Sequence, residues 1–303
     1  RNLSPEEVLE LEPQLRVDRL SGGFVYYDCV VNDARLTLLT LKTAAEQGAR
    51  VANYARMIGL EKADDGFQEV RFEDRLGGDT GSLRARVVTV AGGPWTDELL
   101  QFHKQQAPLL RPTKGVHLVF PAERLRIRHA VVISNYDKRF LFAVPHGEFA
   151  YVGTTDTDYA GSLDEIPVEA GEVDYLIDAL NRLFPHTHLT AADVVSAWAG
   201  LRPLLREEGL PSKISRDYHM HMPEDGFTLI AGGKLTTYRL MAENLLDRII
   251  EHYSDRFGGQ FQPCHTADSA LTGGGTTDFS SYLRTQMNAL TGYWRLETQT
   301  AER

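Results

Sequence analysis

Cysteine is almost missing from this chain. Cys29 and Cys264 are the only two in 303 residues, and their separation offers neither a metal-ligand spacing nor a disulfide framework. A reducing compartment is the default that follows. Positive charge is also short: 32 Lys and Arg stand against 42 Asp and Glu, a formal net charge of −10. That balance argues against a nucleic-acid binder and leaves room for a local basic pocket. No apolar run approaches the roughly 18 residues of a membrane helix, and no secretory leader is visible at the start. The expectation is a soluble, cytoplasmic protein whose membrane contact would be peripheral. His186 and His188 lack a cysteine or carboxylate at ligand spacing, so no metal site is expected. Missing too is the G-x-G-x-x-G turn that cradles a dinucleotide pyrophosphate between a strand and a helix.

What is present centres on the stretch 227–244, FTLIAGGKLTTYRLMAEN. The short apolar run 227–231, closed by Gly232 and Gly233, predicts a buried strand. Leu240, Met241, Leu245, Leu246 and Ile249 recur at spacings of three and four and predict a helix opening at 234–237. Two glycines let a backbone approach a ligand closely. A helix start offers unpaired N–H groups and a positive dipole end, to which Lys234 adds a cation and Thr236 and Thr237 add hydroxyls. Such a corner suits a phosphate or an electron-rich ring edge. An ordinary strand–turn–helix corner has the same spacing.

Elsewhere, Ser4, Pro5 and Glu7 form a capping box that opens a short helix. Asn32 or Asp33 caps a helix over 36–47 that ends at Gly48. Strands are expected through 51–60, 68–73 and 82–90. The last runs into 91–97, AGGPWTD, with a helix capped at Thr96 or nearby. From 111 to 154, alternating runs at hairpin spacing predict a mostly antiparallel sheet. His117 lies in one of them, as a structural strand histidine or as a proton acceptor. The polar cluster 154–158 reads as turn chemistry or as a ligand contact. A helix over 167–183 covers the sheet. A strand from 193 leads to Gly200, Leu201, Arg202 and Pro203. A cation among apolar neighbours needs an anion, so Arg202 is either in a buried ion pair or a fork for a ligand phosphate. Arg216 reads as a surface ion-pair residue or as a second cation behind the site.

The motifs GGKLTTYR, YYDCVVNDARLTLLTLKTAAEQGA, AGGPWTDEL, KGVHLVFP, YVGTTDTDY and SAWAGLRPLL occur together and in order. In them the chain, over about 20–244, resembles the FAD-dependent glycerol-3-phosphate dehydrogenases. Val90 and Gly92 stand where that family usually has Asn and Ala or Thr. The resemblance implies oxidation of glycerol 3-phosphate to dihydroxyacetone phosphate by hydride transfer to FAD, with electrons passed to quinone or another acceptor. It implies Arg202 and Lys234 as substrate ligands. It implies Gly92, Gly93, Trp95, Gly200, Gly232, Gly233, Leu235, Thr236 and Thr237 against the cofactor. The proton acceptor stays open, with His117 as a candidate. A glycerol-3-phosphate oxidase using oxygen, a related flavin amine or amino-acid oxidase, and an inactive fragment are the alternatives.

The expected fold is α+β, an incomplete flavoprotein of α/β type: a mixed, mostly antiparallel substrate sheet covered by helices, plus part of an FAD-binding domain. The expected division is 1–105 and 223–257 in the FAD-binding part, 106–222 in the substrate sheet, and 258–303 at the start of a helical domain. Because the glycine-rich motif and most of the family's C-terminal helical domain are missing, the expectation is an internal fragment of a longer enzyme. Peripheral contact with the inner face of the cell membrane and a homodimer are compatible with the resemblance.

Overall fold

The structure is a computed structural model and describes residues 1–18, 20–103, 108–137, 139–207, 217–295 and 297. It divides into two compact units. The larger comprises 1–27 and 55–259; the smaller comprises 28–54 and 260–303.

The larger unit opens with β1 (Asn2–Leu3), α1 (Pro5–Leu11) and β2 (Gly23–Phe24). The expected capping box starts α1, with Glu7 N donating to Ser4 Oγ at 3.3 Å and Ser4 N donating to Glu7 Oε2 at 2.8 Å. In the smaller unit, Asn32 caps α2 (Asp33–Glu46). An antiparallel meander follows in the larger unit: β3 (Ala55–Lys62), β4 (Gln68–Asp74) and β5 (Thr80–Ala85). The single strand expected over 82–90 is two. β5 ends at Ala85, and β6 (Val88–Val90) belongs to another sheet. A 3-10 turn (Gly93–Trp95) and α3 (Thr96–Leu100) come next. Thr96 is no cap: its hydroxyl donates to Gly93 O at 2.8 Å.

The largest sheet is built on the long β7 (Leu110–Pro121), followed by β8 (Val131–Ser134), β9 (Phe140–His146), β10 (Phe149–Gly153) and β11 (Thr157–Asp158). α4 (Ala170–Leu183) crosses, and β12 (Ser196–Leu205) returns beside β7. β12 lies along one edge of β7, and β10 and β11 lie along the other, all antiparallel. Alternation puts Val116, Leu118 and Phe120 of β7 on one face, fully buried with Val152 and Leu141. α4 caps that face with Leu176, Ile177 and Leu180; each such burial contributes about 1.5–3 kcal/mol. α4 begins at Ala170 rather than 167 because Glu169 is its cap, reciprocally bonded with Glu172.

β13 (Tyr218–His221), β14 (Phe227–Gly232) and β6 make a third sheet in that order, with β14 antiparallel to β13 and parallel to β6. Phe227 to Ala231 are all buried. After a second 3-10 turn (Leu235–Thr237), α5 (Tyr238–His252) packs Leu245 and Ile249 under Ile230. In the smaller unit, Asp278 caps α6 (Phe279–Asn288).

The expectation of an incomplete fold is corrected. Helices and mixed sheets run from Asn2 to Tyr293, and the described sheets of the larger unit enclose buried apolar clusters. α+β architecture therefore spans nearly the whole chain. The expectation at Arg216 lies outside the described residues.

Candidate functional site

The side of the β7–β12 ladder away from α4 is where chemistry-bearing residues gather. Three cross-strand pairs succeed one another: Trp198 with His117, Gly200 with Gly115, and Arg202 with Thr113. Between β10 and β11 the chain leaves the ladder at 154–156. Thr155 Oγ1 takes the place of a backbone acceptor there, receiving Val116 N at 3.0 Å. This holds Thr154 and Asp156 beside Gly115. Arg202 reaches across to them. Its Nη1 donates to Asp156 Oδ1 at 3.2 Å, and its Nη2 donates to Thr154 Oγ1 at 3.0 Å and to Thr155 O at 3.3 Å. The Arg202 side chain keeps 24% exposure and that of Asp156 11%. Of the two readings of Arg202, the ion pair is what the geometry displays. The polar cluster 154–156 is its partner rather than a plain turn, and Thr155 and Asp156 are buried.

His117 stacks on Trp198 with ring centroids 5.0 Å apart and meets the edge of Tyr151 at 6.5 Å. Its ring lies against Gly153, where a Cβ would collide with it. Its buried Nδ1 has no hydrogen-bond partner among the described residues. Burial, and then the positive charge of Arg202, push the imidazole below its ordinary pKa. A neutral ring with an uncommitted nitrogen is equipped to accept a proton near neutral pH.

Two glycine turns lie at the carboxyl ends of the adjacent parallel strands β6 and β14, the position where open sheets bind ligands. Each runs from strand to Gly-Gly to 3-10 turn to α-helix. Gly232 and Gly233 have φ of +81° and +82°, and Gly93 has φ of +53° with open space where a Cβ would stand. The helix expected to open at 234–237 does so as the 3-10 turn, with Lys234 as its exposed first cap. Lys234 Nζ makes no ion pair or hydrogen bond among the described residues. Leu235, Thr236 and Thr237 are exposed beside it. Trp95 ends the other turn, its indole Nε1 donating to Asp164 Oδ1 at 3.0 Å. Gly92 packs against Leu99.

The sequence-expected residues thus fall into two groups. Arg202, Gly200 and His117 share the open face of β7 and β12. Gly92, Gly93 and Trp95 share the carboxyl ends of β6 and β14 with Gly232, Gly233, Lys234, Leu235, Thr236 and Thr237. β12 touches both the 93–95 turn and β14. Sequence reasoning missed Gly115 and the pairing of Arg202 with Thr154 and Asp156. The signal for Gly115 was a glycine inside an otherwise alternating strand, which often marks a close approach. Among the described residues, no group of three or more His, Cys, Asp or Glu is placed to hold a metal ion.

The FAD dependent oxidoreductase family matches residues 1–239. The aerobic glycerol-3-phosphate dehydrogenase of Bacillus subtilis is 38% identical over 274 residues, which is 90% of this chain and 49% of that protein. That of Staphylococcus aureus strain USA300 is 36% identical over 298 residues, 96% of this chain and 54% of the other. The structure of the Bacillus halodurans glycerol-3-phosphate dehydrogenase complexed with FAD superposes with a TM-score of 0.88 at 34% identity. It covers 99% of this chain and 58% of the other. The chain spans about half the length of the curated relatives it matches. The likeness corrects the expectation that the resemblance is confined to about 20–244. It extends over 90–99% of the chain, so the 1–19 and 245–303 stretches belong to the same match.

Proposed function

This chain belongs to the FAD dependent oxidoreductase family, and from that premise we propose that it oxidises sn-glycerol 3-phosphate to dihydroxyacetone phosphate, with electrons passed on to quinone. The observation that carries the reading is the Arg202 guanidinium on the same open sheet face as the His117 ring. The residues present fit FAD. The glycine turns at Gly92–Gly93 and Gly232–Gly233 stand at the carboxyl ends of two parallel strands, with open space at Gly93 where a Cβ would be, and a helix start follows each turn. FAD, when bound, accepts a hydride, a role that no protein side chain fills.

The chain's own residues do the rest. Arg202 and Lys234 bind the phosphate and so orient C2 of the substrate, which is a positioning contribution. Two cations suit a dianion, and Asp156 already balances part of the Arg202 charge, which leaves Lys234 an essential share of the work. His117 takes the proton from the C2 hydroxyl as the carbonyl forms. Trp198 and Tyr151 hold its ring in place and keep water from it. Gly200, Trp95, Leu235, Thr236 and Thr237 line the cofactor side in this reading. The division into an FAD-binding part (1–105, 223–257), a substrate sheet (106–222) and a helical start (258–303) belongs to the same proposal. So do the homodimer and the peripheral contact with the inner face of the cell membrane. No described helix is long and apolar enough to cross a membrane.

Reduction of an electron-accepting dye by sn-glycerol 3-phosphate, followed beside oxygen uptake and the flavin absorbance bands, tests the function. Dye reduction without oxygen uptake is expected. Arg202→Met is expected to raise KM while flavin content holds. A flavin-bearing protein that leaves sn-glycerol 3-phosphate untouched contradicts the reading, and equal loss of flavin and KM makes Arg202 structural.

A further inference from the structure

Gly115 is not required by its backbone. It sits inside β7 without a positive φ, where any residue fits the pleat. What excludes a side chain is Arg202. A methyl on Gly115 would stand 2.5 Å from Nη2 and 2.8 Å from Nη1, and closer still to Thr154 Oγ1. The guanidinium lies on bare strand backbone, in the space that a Cβ would fill. Its partners are themselves fixed. The Thr154 hydroxyl donates to Thr155 O at 3.0 Å, leaving its lone pairs for Nη2. Thr155 is pinned to Val116 N, and Asp156 is 8% exposed.

We infer that Gly115 and Asp156 are positioning residues for Arg202: Gly115 supplies the space in which the guanidinium lies, and Asp156 sets how much of its charge reaches the substrate anion and His117. The inference deepens the proposed function and rests on it for the identity of the substrate. The groups facing His117 are Arg202 and Trp198 from β12 and Tyr151 from β10, with His146 of β9 behind Tyr151. Of these, Arg202 is the cation whose field reaches the ring, and the carboxylate of Asp156 offsets it.

Two variants of the full chain separate space from charge. Asp156→Asn keeps an oxygen for Nη1 and removes the negative charge, with no added volume. The His117 ring, titrated by NMR, is expected to lose its proton at a lower pH than in the wild type, because Asp156 then no longer offsets the Arg202 field. Gly115→Ala displaces the fork without removing it. The KM for sn-glycerol 3-phosphate is expected to rise about tenfold, the worth of one charge-assisted hydrogen bond, with kcat changing less. An unmoved His117 midpoint in Asp156→Asn overturns the inference. So does a wild-type KM in Gly115→Ala, or a fall in thermal stability that is the sole change in both. If Gly115→Ala fails to fold, the Asp156→Asn titration decides alone. A lowered His117 midpoint in a protein that does not oxidise sn-glycerol 3-phosphate sinks the substrate and upholds the positioning.

Discussion

Gly115 and Gly200 face one another across β7 and β12, yet one is covered and the other bare. Above Gly115 lie Arg202 and Thr154, and among the described residues nothing stands within 4 Å of a Cβ built on Gly200. The two glycines leave a strip of backbone between the His117–Trp198 stack and the Arg202 fork. A methyl at Gly200 meets no neighbour, so Gly200→Ala is expected to change unfolding free energy by no more than about 0.5 kcal/mol. In the proposed site the same methyl projects toward the flavin, so flavin affinity is expected to fall. Urea denaturation and flavin titration check the two halves. Unchanged flavin affinity removes Gly200 from the site.

Lys114, next to Gly115, points to the opposite face. Its side chain is 5% exposed, with Nζ 2.9 Å from Glu172 Oε2, 3.6 Å from Glu169 Oε1 and 3.1 Å from Pro167 O. Burial alone would lower its pKa; the Glu172 and Glu169 carboxylates outweigh burial and raise it. It therefore stays charged at neutral pH. Lys114→Met leaves the half-buried Glu172 with no cation, while its buried Oε1 already lacks a partner among the described residues. The expected loss is about 3–5 kcal/mol. Adding Glu172→Gln should recover part of it in chemical denaturation. Full additivity of the two changes would contradict the pairing.

Local signals were legible in the sequence and distant partners were not. The Ser4–Glu7 box, the Asn32 cap and the buried run before Gly232 rest on residues a few positions apart, and they appear where local chemistry puts them. The split of 82–90 was hidden because Val88 to Val90 pair with Phe227 to Leu229, far along the chain. The same distance hid the partner of Arg202, which lies 46 residues away at Asp156. Composition around 154–158 is that of a turn; only the placement of Thr155 against Val116 turns it into a cradle. The expectation of an incomplete fold rests on missing family segments, and a missing segment says nothing of how the residues present pack.

Tyr253 ties the end of α5 to β14. Its hydroxyl donates to Phe227 O at 3.0 Å and to Pro223 O. Burial, followed by the nearby Asp225 carboxylate, pushes its pKa up from 10.0 to about 12. The unfolded chain therefore releases this proton first as pH rises. The contribution is whole below pH 10.0 and is lost between there and about 12. Tyr253→Phe is expected to lower stability at pH 8 by about 1 kcal/mol and to flatten the decline above pH 10.0. Thermal unfolding across that range checks both. An equally steep decline in the variant assigns it to other groups.

Most directly at stake is whether Arg202 and Lys234 meet one phosphate. A double-mutant cycle on kcat/KM for sn-glycerol 3-phosphate, using Arg202→Met, Lys234→Met and both together, measures that. The account predicts that the double variant loses clearly less than the product of the two single losses, since either cation missing already frees the phosphate. Independent, multiplicative losses would place the two cations on different parts of the ligand and contradict it.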